Sequence, residues 1–196
     1  MRDQWYGDDG DLLKWGALVH IAHRESLSAI LHVAFYRPDG DWATLNSSQG
    51  AVEIPDEVLR HFRNLDHVHR LSKPSGIRIE VFKAPFRDRK TYFDKVSRRI
   101  ASYSDDGLAV FLDPDTGLAP DIAGPEHVAE DELRFVYAVM KPGDVLVCYQ
   151  RSRRQKSWRG DRRRAFALAI DVDAQEVEVF DSELTRDGVL FSVTKS

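Results

Sequence analysis

Apolar residues recur along the chain in two alternating periods. Over residues 11–25 they fall at helical spacing, with Leu12, Leu13, Leu18, Val19 and Ala22 expected on the inner face. Residues 30–36 form a short apolar run of strand length, closed by the turn-forming Arg37-Pro38-Asp39-Gly40. A second helix is expected over 56–71 and an alternating strand over 77–82. Residues 89–103 return to the helical period, with Tyr92, Phe93, Val96 and Ile100 on one side. Residues 108–112 are wholly apolar and stop at Asp113-Pro114. A helix over 126–140, a buried strand over 144–149, a hairpin from 165–171 and 176–180, and a last strand over 189–193 complete the pattern. Strands alternating with helices predict an α/β protein with three layers around an open, mostly parallel sheet, and a C-terminal antiparallel hairpin at one edge. No repeat or linker divides the 196 residues, which suit a single domain spanning 1–196.

In open sheets of this kind ligands bind beyond the carboxyl ends of the strands. That rule gathers Asp39 and Asp41 after the first strand, Asp113 and Asp115 after the third, and Tyr149 and Gln150 after the fourth. The segment Leu108-Ala-Val-Phe-Leu-Asp113-Pro114-Asp115-Thr116-Gly117 delivers a carboxylate rigidly to the rim; equally, Asp-Pro-Asp-x-Gly is ordinary turn chemistry. At the opening, Asp11 is placed to cap the first helix. Lys14 then stands in the first turn, where the helix dipole disfavours a cation and a carboxylate or anion would offset it. Tyr149 and Gln150 offer a stacking ring and an amide that could read a base edge.

Charge changes the picture further. The net charge of -4 conceals +7 within residues 151–164, so the remainder carries -11. The basic residues are Arg151, Arg153, Arg154, Lys156, Arg159, Arg162, Arg163 and Arg164, with Trp158 among them. Arginine forks grip phosphate and an indole stacks on bases, so the block is expected to meet nucleic acid, DNA favoured, or else to be a solvated face. One cysteine excludes a disulfide framework and a thiolate zinc site. No apolar run approaches the length of a membrane span, and a cytoplasmic protein is expected. The sequence leaves the oligomeric state open.

Four separated motifs carry a resemblance: Gly7-Asp8-Asp9-Gly10-Asp11-Leu12-Leu13-Lys14, Pro38-Asp39-Gly40-Asp41, Phe111-Leu112-Asp113-Pro114-Asp115-Thr116-Gly117, and Tyr149-Gln150. Over residues 6–150 the chain resembles a bacterial family distantly similar to the Rossmann-like nucleic-acid adenine methyltransferases. That resemblance implies a Rossmann-like sheet, Lys14 near an S-adenosylmethionine site, and Asp113-Pro114 holding a target amine. Two departures oppose methyl transfer. The turn after the first strand has one glycine and two carboxylates, and Asp115-Thr116 replaces the aromatic that would stack on a flipped base.

The chemistry also resembles that of uracil-DNA-glycosylase-like enzymes, which end an inner strand with Asp-Pro, and this implies phage-defence excision of modified bases as a context. The leading expectation is therefore a base-excising hydrolase needing neither metal nor cofactor. Asp113, Asp115 and Asp39 would be catalytic, and Tyr149, Gln150, Lys14 and Asp11 would hold the base. Arg151, Arg153, Arg154, Lys156, Trp158, Arg159, Arg162 and Arg163 would hold the nucleic acid. The alternatives are a methyltransferase, a magnesium-dependent nuclease on Asp39, Asp113 and Asp115, and a non-catalytic nucleic-acid-binding module.

Overall fold

Helix α1 (Asp9–Arg24) leads into the first strand of the main sheet, β1 (Ala29–Val33). A hairpin of β2 (Thr44–Ser47) and β3 (Gly50–Glu53) follows, then a 3-10 turn over Leu65–Leu71 and the single-turn helix α2 (Ser72–Ser75). Next come β4 (Arg78–Phe82), α3 (Arg89–Ala101) and β5 (Leu108–Leu112). The short β6 (Gly117–Leu118) pairs with β7 (His127–Val128) ahead of α4 (Glu130–Val139). Strand β8 (Val145–Arg151), helix α5 (Trp158–Ala169) and a hairpin of β9 (Glu178–Ser182) and β10 (Thr185–Thr194) close the chain. This computed structural model describes residues 7, 9–37, 44–48, 50–53, 55, 58, 64–103, 107–120, 122–183 and 185–196.

The six strands of the main sheet lie in the order β4-β1-β5-β8-β10-β9. The first four are parallel, and β10 runs antiparallel to both β8 and β9. The architecture is thus the predicted Rossmann-like α/β sheet with an antiparallel hairpin at one edge. Parallel strands covered on both faces read as unbroken apolar runs, which is why β1 and β5 are buried at every position. Leu31, Val33, Val110, Leu112, Leu146 and Cys148 face the layer of α3, α4 and α5. Ile30, Ala109, Phe111, Val145 and Val147 face α1, through Leu18 and Ile21, and Val68 of the 3-10 turn.

Several local expectations are corrected. Residues 165–171 are not a strand: 165–169 belong to α5, where Phe166, Ala167 and Ala169 are buried while Leu168 is 75% exposed. A short apolar run reads equally as strand or buried helix, and the helix-forming arginines before it carry the helix onward. The hairpin forms instead from β9 and β10. On α1, Leu12 is exposed, and Trp15, Ala17 and Ile21 join Leu13, Leu18 and Ala22 in the core. Residues 127–128 pair as a strand before α4 begins. Of the helix expected over 56–71, residues 65–71 form the 3-10 turn, Asn64 accepting from the Asp66 backbone N–H at 3.0 Å. Residues 56, 57 and 59–63 lie outside the described residues.

Candidate functional site at the strand tips

The chain leaves β1 toward β4 on one side, then returns past β1 to β5 on the other. The order therefore reverses between β1 and β5, and the crevice beyond their carboxyl ends is where such sheets take ligands. Asp113 stands at that point. Its backbone N–H donates to the Val33 carbonyl at 3.1 Å, extending the β1–β5 ladder by one residue, and Pro114 ends it.

The Asp113 carboxylate is 2% exposed, and both oxygens are engaged: Oδ1 meets Lys14 Nζ at 3.0 Å and Oδ2 meets His32 Nε2 at 3.0 Å. Lys14 also lies 3.6 Å from Asp11 Oδ1 and 4.6 Å from the centre of the Tyr149 ring. Burial alone would favour the neutral acid at Asp113. The Lys14 ammonium and the His32 hydrogen bond outweigh burial and hold Asp113 well below the usual carboxylate range. Burial likewise presses Lys14 toward the neutral amine, but Asp113 and Asp11 outweigh it and keep the ammonium above the ordinary lysine value. The result is a fixed, buried ion pair.

Each partner is positioned by its own element. Helix α1 begins two residues earlier than expected, so Asp11 sits within its first turn, its Oδ2 accepting from the Gly7 N–H at 2.6 Å. Lys14, one turn further on, then projects toward the sheet. His32 comes from the middle of β1, stacked on Phe111 at 4.9 Å and edge-on to Trp15 at 5.4 Å. Its Nδ1 is buried with no hydrogen-bond partner among the described residues. His32 has no spacing that marks it as functional in the sequence; the one signal is a polar residue inside the otherwise apolar Ala29–Val33.

Beyond this cluster, Arg37 forms an ion pair with Asp115, tying the segment after β1 to the segment after β5. Between Val33 and Arg37 the backbone turns through Phe35, which has φ +47 and is fully buried. A bulky residue rarely adopts this conformation. The Phe35 N–H donates to the Tyr92 hydroxyl at 3.0 Å, and its ring packs on Phe86, Phe93 and Tyr92 beneath α3. The positive φ that a glycine would supply is present without one, and the side chain is turned into the core.

Tyr149 and Gln150 point to opposite faces of β8 and have different roles. Gln150 is 1% exposed; its Oε1 accepts from the Leu118 N–H at 3.0 Å and its Nε2 donates to the carbonyls of Thr116 and Arg151 at 2.9 and 3.0 Å. It clamps the segment after Asp115 onto β8 rather than presenting an amide to a base. Gly117 (φ +97) admits that clamp, since a Cβ there would lie 2.5 Å from Gln150 Oε1. Gly188 of β10 does the same for Tyr149: a Cβ would meet its ring at 2.5 Å. Neither glycine is recognisable as a site residue from sequence, because both close approaches join distant strands.

The basic segment adjoins this rim. The Arg151 N–H donates to the Thr116 carbonyl, Arg162 reaches the Ala119 carbonyl at 3.4 Å, and Arg153 and Arg162 both depress the His127 imidazole after burial has done so first. The eight cations divide by role. Arg163 is spent on the carbonyls of Val177 and Gln175, Arg164 on Asp161 at 2.5 Å, and Arg159 lies 3.4 Å from Asp181. Arg151, Arg153, Arg154 and Lys156 are exposed and carry no ion pair among the described residues. Trp158 is 9% exposed in the core, with the Arg159 guanidinium 5.4 Å from its ring.

The structure thus brings Lys14, Asp11, Asp113 and Tyr149 into one cluster, sets Asp115 and Gln150 beside it, and leaves Arg163 in a structural role. Asp39 and Asp41 lie outside the described residues. Among the described residues no three His, Cys, Asp or Glu side chains gather as metal ligands. No helix among them is long and apolar enough to cross a membrane.

No family model matches the chain, and no curated protein matches it. Among solved structures it is similar to a DUF574 family protein from Streptomyces avermitilis, at 13% identity and a TM-score of 0.42, covering 96% of this chain and 82% of that one. It is also similar to a presumed methyltransferase from Thermoplasma acidophilum, at 12% identity and a TM-score of 0.29, covering 87% of this chain and 69% of that one. Likeness at this level says nothing of activity.

Proposed function

We propose that the protein is a Rossmann-like nucleic-acid methyltransferase, with DNA the favoured substrate. The observation that carries this reading is Asp113: a buried carboxylate at the strand-order reversal, with one oxygen on Lys14 and the other on His32. A base that takes a proton from water works best with a pKa near the working pH and with access to that water. Asp113 has neither property, so the base-excising reading loses its central residue. Methyl transfer depends chiefly on holding two reactants in line, which a locked ion pair suits.

Two features of the turn after β1 support S-adenosylmethionine as the donor. The backbone there already adopts positive φ at Phe35, and the ring is withdrawn beneath α3. Residues 34–37 and Lys14 would hold the donor, which when bound supplies an electrophilic methyl group. The resemblance places Asp113-Pro114 at the target amine; with both Asp113 oxygens engaged and buried, Asp113 would act there as a positioning residue that fixes this segment rather than as a direct partner of the amine. Lys14 and His32 keep the Asp113 carboxylate ionised and oriented. Arg151, Arg153, Arg154 and Lys156 would take the flanking phosphates.

The test is methyl transfer from tritiated S-adenosylmethionine to pools of unmodified and phage DNA and of RNA. The expected result is incorporation into nucleic acid, reduced about 100-fold by Asp113→Asn, the scale set by misplacing a reactant. Release of free bases with no donor present would restore the excision reading.

A further inference from the structure

Beyond the strand-tip cluster, the fold builds a groove that the sequence does not announce. It has a volume of about 900 Å³ and lies between the loop from β8 to α5 and the turn of the β9–β10 hairpin. The loop and the start of α5 contribute Arg153 and Arg159 to its lining, and the hairpin contributes Asp181, Glu183 and Arg186. Arg186 is 22 residues beyond the end of the basic block in sequence and reaches the same groove from β10, within the stretch where the β9–β10 register shifts.

The charges in the groove are not equivalent. Arg159 is shared between the Trp158 ring and Asp181. Arg153, Arg186 and Glu183 are exposed and have no ion pair among the described residues. A groove built only to follow a phosphate backbone gains nothing from an unpaired carboxylate, which repels phosphate. A ligand carrying both an anion and hydrogen-bond donors uses all three groups. A nucleotide unit has that chemistry when its base bears an exocyclic amine: phosphate suits the arginine forks, and a carboxylate accepts from the amine of cytosine.

We propose that this groove binds one nucleotide of a single-stranded segment, phosphate on Arg153 and Arg186, and that Glu183 selects bases with an exocyclic amine. The proposal rests on the nucleic-acid reading above and names a reading site on the substrate strand separate from the strand-tip cluster.

The experiment measures fluorescence anisotropy of labelled oligodeoxycytidylate and oligodeoxyuridylate of equal length, whose bases differ only at the amine-bearing C4 and the adjacent N3. The full chain is expected to bind the cytidylate about tenfold tighter, the scale of one good base contact. Arg153→Ala with Arg186→Ala is expected to weaken both oligomers about equally and leave their ratio unchanged. Glu183→Gln is expected to bring the ratio near one. If the double arginine variant binds both oligomers as the parent does, the groove is not the site, while the parent's binding leaves the wider reading standing. If Glu183→Gln keeps the cytidylate preference, the carboxylate is not the reader. If the parent binds neither oligomer, the groove proposal and the nucleic-acid reading fall together.

Discussion

Lys14 and Asp113 illustrate how much depends on one buried pair. Removing one partner leaves the other charge buried and uncompensated, which typically costs about 3–5 kcal/mol. Lys14→Met is therefore expected to lower the melting temperature by roughly 6–20 °C for a chain of this size. Asp113→Asn is expected to cost less, because Lys14 keeps Asp11 at 3.6 Å. The pair also sets a pH window. Asp113 is depressed when folded, so its contribution is complete above the unfolded value near 3.9 and is lost as pH falls through the folded value. Lys14 is raised, so its contribution is complete below about 10.4 and is lost as pH rises beyond it. Melting temperature against pH should show a plateau between these limits, and the acid limb should flatten in Asp113→Asn. An unchanged acid limb would remove Asp113 from this role. Tyr92→Phe tests the turn: it strands the buried Phe35 N–H and should cost about 1–3 kcal/mol in a denaturant titration. At this scale the sequence showed Asp113, since an apolar strand ending in Asp-Pro can hardly present its carboxylate elsewhere. It hid His32, whose apolar neighbours made it look like one more core position, and Phe35, whose backbone conformation no residue type signals.

Among the elements, the segment from Asp115 to Leu118 is held by contacts that cross the sheet. Gln150 satisfies three backbone groups there, and Gly117 gives it room. Gly188→Ala is expected to push the Tyr149 ring off its place beside Lys14, at a cost of about 1–3 kcal/mol for overpacking. A thermal melt reads the cost; a parent-like melting temperature would show that β10 yields instead. The existence and burial of β1, β5 and β8 were legible because buried parallel strands announce themselves as apolar runs, whereas their order in the sheet was not. The end of α5 was not legible: Ala165-Phe166-Ala167-Leu168-Ala169 fits either period, and only packing against β8 and β10 decides between them. Gln150 was legible in position but not in role, since its partners come from a distant turn.

For the molecule as a whole, a charge of -11 spread around one segment of +7 makes any nucleic-acid contact local and salt-sensitive. Arg151, Arg153, Arg154, Lys156 and Arg186 facing phosphates predict a slope of log K against log salt of about -3.5 on single strands. Loss of Arg153 and Arg186 should bring it to about -2. The fold holds Arg151 and Arg162 against the segment after β5, yet draws Arg163 and Arg164 into structural contacts. The methyltransferase reading turns finally on whether the crevice between β1 and β5 accepts a methyl donor. Titration calorimetry with S-adenosylmethionine tests this without knowledge of the nucleic-acid substrate. The account predicts saturable binding of one donor per chain, weakened by Lys14→Met in protein that remains folded; no binding heat at millimolar donor would contradict it.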